Sequence, residues 1–69
     1  MEFQLEGEEF ITLQSLLKVA GLCGTGGEAK VALTSGEVQV DGAVETRRGK
    51  KIRNGQVVRF AGKEIRVIE

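Results

Sequence analysis

The chain has 69 residues, with ten Lys or Arg, ten Asp or Glu, one Cys, three Phe and no His, Trp, Tyr or Pro. That is room for one small domain, with no second core and no deep cavity, and a lone cysteine without histidine excludes an internal disulfide and a His–Cys metal cage. The net charge of zero hides an asymmetry: residues 1–45 carry two cations and eight acids, a balance of −6, whereas residues 46–69 carry eight cations and two acids, a balance of +6.

Such a split between halves points to a polyanion-binding face. No apolar run approaches the roughly 18 residues of a membrane span, and no charged-then-apolar leader opens the chain, so a soluble cytoplasmic protein is expected.

In chain order, Glu2, Phe3, Gln4, Leu5 and Glu6 alternate polar and apolar and read as a short edge strand. Glu2, Glu6, Glu8 and Glu9 make this end acidic, and it is expected to face away from any polyanion. Thr12 then reads as a helix N-cap, with Ile11 and Leu16 at the spacing of a hydrophobic staple. Leu13, Leu16, Leu17 and Ala20 form one apolar stripe. Gly21 permits a left-handed stop, Leu22 can pack back on Leu17, and Lys18 suits the negative end of the helix dipole. After Gly24-Thr25-Gly26-Gly27, Thr25 and Glu28 have capping-box spacing for a second helix with a narrow stripe of Ala29, Ala32 and Leu33, closed by Gly36.

From Gly36 the period changes to two. Val38 and Val40 alternate with Glu37 and Gln39, Asp41-Gly42 supplies the positive φ angles of a type I′ turn, and Ala43-Val44 begins the return strand. The next stretch is the most basic in the chain: among the seven residues 47–53, Arg47, Arg48, Lys50, Lys51 and Arg53 are cationic. Asn54-Gly55 is another turn pair, and residues 56–60 and 63–68 read as two strands joined tightly at Ala61-Gly62. The expected fold is α+β: two short N-terminal helices packed on a small, largely antiparallel sheet of four to five strands, in a single domain over residues 1–69.

No catalytic constellation is visible. Gly24-Thr25-Gly26-Gly27-Glu28-Ala29 formally fits a dinucleotide fingerprint, but a helix precedes it where a strand is needed. It reads instead as a helix–helix turn and cap, with Gly26 and Gly27 leaving first-turn N–H groups uncrowded for one phosphate. Cys23 has no histidine to activate it and reads as a small packing residue. Asp41 and Glu45 read as solvated polar positions on a hairpin. The basic loop is the strong candidate: arginine meets phosphate with a planar fork, lysine acts as a mobile point charge, and Gly49 lets a ligand approach the backbone. The three Phe read as core-directed or terminal, so recognition is expected to rest on backbone shape rather than base stacking.

The run of Leu16-Leu17, Gly21, Thr25 to Ala29, Leu33, Gly36-Glu37-Val38-Gln39-Val40-Asp41-Gly42, Lys51-Ile52 and Gly55 to Val58 resembles the RNA-binding domain named after ribosomal protein S4, the alpha-L motif. The resemblance covers roughly residues 12–60. The segment from Val40 to Arg47 is similar to the family's small, stand-alone bacterial YbcJ-like branch. This resemblance implies RNA bound across the second helix and the neighbouring strand loop. Its contacts would be Lys30, Arg47, Arg48, Lys50, Lys51 and Arg53, with Gly26 and Gly27 at the helix start. Many family members carry an arginine beside the N-cap of the second helix; here that position is Gly26, and Lys30 lies one turn later.

The expectation is therefore a non-catalytic module that binds structured RNA, ribosomal or transfer RNA, as a monomer or within the ribosome or another ribonucleoprotein, with no membrane, metal or cofactor. The alternative is a protein-interaction module whose basic loop docks on an acidic partner. An enzyme ranks last, because no nucleophile–base pair can be written.

Overall fold

The computed structural model describes residues 1–69. Both helices form where their caps predict. The first, α1 (Leu13–Val19), starts at Thr12, whose hydroxyl accepts the Ser15 N–H. It stops in a Schellman turn: Gly21, at φ 76°, donates to the Lys18 carbonyl and Leu22 to that of Leu17. The second, α2 (Gly26–Thr34), ends alike, with Gly36 donating to Leu33 and Glu37 to Ala32. Its start differs from the expected capping box. Thr25 accepts the Glu28 N–H, but the Glu28 carboxylate takes the N–H of Gly24, at 2.7 Å, rather than that of Thr25. The bend at Gly24 brings the earlier amide within reach of the side chain.

The main sheet has the order β1-β7-β6-β3-β4, built from β1 (Glu2–Gln4), β3 (Val38–Val40), β4 (Ala43–Val44), β6 (Val57–Phe60) and β7 (Lys63–Ile68). All pairs are antiparallel except β1 with β7, the two ends of the chain. Two hairpin turns share one chemistry: Asp41 and Gly42 have φ 51° and 85°, Ala61 and Gly62 have 54° and 77°. Both central residues must be left-handed to match the strand twist, which is the type I′ requirement. Val38, Val40, Val58, Ile65 and Val67 point to one face and are buried with Leu13, Leu16, Leu17, Ala29, Ala32 and Leu33 of the helices. Gln39, Arg59, Glu64 and Arg66 alternate with them and hold the opposite face polar.

A second, two-stranded ribbon is absent from the sequence-based expectation. β2 (Ile11–Thr12) pairs antiparallel with β5 (Lys51–Ile52), Ile11 opposite Ile52 and Thr12 opposite Lys51. Ile52 is fully buried. The residue foreseen as part of a hydrophobic staple is thus also a strand residue, and the ribbon fastens the basic loop to the start of α1.

Candidate functional site

Residues 45–53 contain a strand of only two residues, yet this loop is tied down along its length. The first two amides of α1, which have no partner within the helix, donate to it: Leu13 N–H to the Lys50 carbonyl at 2.8 Å, and Gln14 N–H to that of Arg48 at 3.0 Å. A turn from Arg47 to Lys50 carries Gly49 outward. At the loop's beginning, the Glu45 carboxylate accepts the backbone N–H, the Nε and the Nη2 of Arg47. Its side chain is only 14% exposed, so it is an anchor and not the solvated polar group expected. The hydrogen bonds from Arg47 hold its pKa below the usual carboxylate range. At the loop's end, Arg53 N–H donates to Gln56 Oε1, and the Gln56 amide and the Val57 N–H both donate to Asp41. Those donors lower the Asp41 pKa, the Val57 N–H most. Asp41 therefore fastens the hairpin turn to β6 and to the exit of the loop.

This frame brings four of the predicted cations together. Arg47, Lys50, Lys51 and Arg53, with Gly49, line an open hollow of about 460 Å³ that has neither a carboxylate nor an apolar side chain among its lining residues. Only Arg47 of the four is in an ion pair. Arg48 does not line the hollow; it is exposed, and its carbonyl receives Gln14. The α2 side lies against the same residue: a Cβ at Gly26 would stand 2.6 Å from the Gln14 amide nitrogen. Gln14 thus touches Gly26 through its side chain and the loop through its backbone. Gly27 is exposed, a Cβ there meeting only the Thr25 hydroxyl at 3.7 Å, and exposed Lys30 shares a stripe of α2 with Gly26, one turn on. The Glu28 carboxylate beside Gly24 means that the start of α2 already carries an anion of its own.

Two expectations are corrected here. Phe10 is neither core-directed nor terminal. It is half-buried outside the core cluster, with Lys51 Nζ 5.0 Å and Arg53 Cζ 5.6 Å from its ring centroid. No local pattern marks it, because the antiparallel register of β2 on β5, which places residue 10 across from residue 53, exists only in the folded chain. Nor does the acidic end wholly face away, because Glu8, Glu9 and Glu69 share a hollow with Arg53 and Asn54. Arg53 lines both hollows and marks the border between acid and base. Cys23 is buried, and burial followed by the nearby Glu28 charge pushes its thiol pKa up, as suits a packing residue.

Comparison with known proteins agrees with this fold. The S4 domain matches residues 3–68. The Escherichia coli (strain K12) protein named "Putative RNA-binding protein YbcJ" is 46% identical over 66 residues, covering 96% of this chain and 94% of that protein. The Bacillus subtilis (strain 168) protein named "Probable ribosome maturation protein RlbA" is 43% identical over 54 residues, covering 78% and 76%. The solution structure of YbcJ from E. coli, described as revealing an alpha-L motif involved in RNA binding, superposes with a TM-score of 0.76 at 44% identity, over 99% of this chain and 86% of that one.

Proposed function

The chain belongs to the S4 domain family, and from that premise we propose that it is a non-catalytic module that binds structured RNA, ribosomal or transfer RNA, at the basic hollow and the adjoining flank of α2. The observation that carries this reading is the hollow itself: four cations on a fastened backbone, with no lining carboxylate. Phosphate oxygens entering it would replace water and counterions around Lys50, Lys51 and the two guanidinium groups, and release of counterions from the RNA supplies the affinity. Gly49 adds no side chain to the hollow's wall, so the ribose-phosphate backbone can come close. Selectivity then comes from the shape of the RNA and its 2′-hydroxyl groups. The names of the E. coli and Bacillus relatives support RNA as the ligand and the ribosome as its setting.

The test is the salt dependence of binding to a folded ribosomal RNA fragment. With about four or five phosphates neutralised, log K falls with log salt at a slope of roughly −3 to −4.5. Replacing Arg47, Lys50, Lys51 and Arg53 together by Glu abolishes binding while the amide spectrum stays that of a folded chain. A slope near zero, or full binding by the charge-reversed chain, contradicts the reading. Capture of a protein partner that survives ribonuclease would favour an acidic protein instead.

A further inference from the structure

Three of the four cations in the hollow have no ion pair, and two of these, Lys51 and Arg53, lie over one aromatic ring. Lys51 and Arg53 alternate with buried Ile52, so they leave the ribbon on the face opposite the core. Phe10 precedes β2 and reaches the same face from the opposite strand, with the Lys51 ammonium at 5.0 Å and the Arg53 guanidinium at 5.6 Å from its centroid. The ring takes no part in the core cluster. We propose that Phe10 is a positioning residue for the phosphate site, its ring holding Lys51 and Arg53 over the hollow before RNA arrives. This deepens the RNA-binding reading above and rests on it.

The physical reason is preorganisation. An unpaired Lys or Arg on a strand samples many rotamers, and fixing it on binding opposes affinity. The negative face of an aromatic ring attracts both cations and narrows that sampling without neutralising their charge. A carboxylate in the same place would fix them too, but it would repel the phosphate. Among the hollow's cations that other device occurs once, at Glu45 on Arg47. Phe10 restrains Lys51 and Arg53 without pairing either with a carboxylate.

The experiment compares Phe10→Leu, which keeps apolar bulk and removes the ring, with Phe10→Tyr, which keeps the ring. In the wild type the Lys51 ε-methylene protons resonate upfield under the ring current; Phe10→Leu abolishes that shift and Phe10→Tyr retains it. For a folded ribosomal RNA fragment, Phe10→Leu weakens binding about three- to tenfold with the salt slope unchanged, since no charge is lost. Phe10→Tyr restores the affinity. In a background of Lys51→Ala with Arg53→Ala, Phe10→Leu has no further effect.

The proposal is overturned if Phe10→Leu binds as the wild type does, or if Phe10→Tyr fails to rescue. A loss persisting in the double-alanine background would mean that the ring touches RNA directly, and also overturns it. Should Phe10→Leu fail to fold, the wild-type ring-current shift and the Tyr rescue decide, and absence of either refutes the proposal. If instead RNA does not respond to charge reversal of the hollow, the underlying reading fails, which is a different result from an ineffective Phe10→Leu beside an effective charge reversal.

Discussion

Glu45 and Asp41 show how two carboxylates serve a basic face without lining its hollow. Each accepts hydrogen bonds only its ionised form can fully satisfy: Glu45 from Arg47, Asp41 from the Val57 N–H and the Gln56 amide. Both folded-state pKa values lie below their ordinary values. A depressed carboxylate contributes stability that is present above the unfolded-state pKa and lost as pH falls through the folded one. The unfolding midpoint should therefore be level down to about pH 5 and fall on the acid side of about pH 4. In Asp41→Asn and Glu45→Gln the midpoint near neutral pH drops and the acid decline becomes shallower, measurable by urea titration across pH. A decline as steep in both variants as in the wild type would remove these residues from the account.

Among elements, what could be read in advance follows the range of the interactions. Helix caps and hairpin turns are settled by residues within five positions of one another, so Thr12, Gly21, Thr25, Gly36 and Asp41-Gly42 were legible from local pattern. The β2–β5 ribbon was not. Its strands are two residues long, too short to show a period, and its partners lie about forty positions apart. Because the ribbon carries Lys51 and brings Phe10 to Arg53, the basic loop was visible as a charge cluster while its aromatic support was hidden. The second hairpin offers a separate check. Ala61 sits at φ 54°, where a Cβ is strained, next to a glycine that is not. Ala61→Gly should stabilise the fold by about 0.5–1 kcal/mol and raise Tm by roughly 2–8 °C, read by thermal unfolding. A lower Tm would mean that the turn is not left-handed at residue 61.

At the scale of the whole molecule, the basic loop and the acidic turn at Glu8 and Glu9 meet at Arg53. Five of the ten basic residues collect in a loop that the amides of α1 and the ribbon hold in place, and Gln14 joins that loop to the start of α2. The acidic turn before Phe10 adjoins this surface instead of lying opposite it. The outer face of the sheet is a different kind of surface, where Arg59 is paired with Glu64 at 2.9 Å. RNA is expected to meet the loop and the flank of α2, not the sheet. Titrating a folded ribosomal RNA fragment into isotope-labelled protein at low salt, and following each backbone amide, tests it most directly. Residues 47–53, Gly26, Gly27 and Lys30 are expected to shift together along one saturating curve while Arg59, Glu64 and Arg66 stay in place. Saturating shifts confined to the outer sheet, with residues 47–53 unmoved, would contradict it.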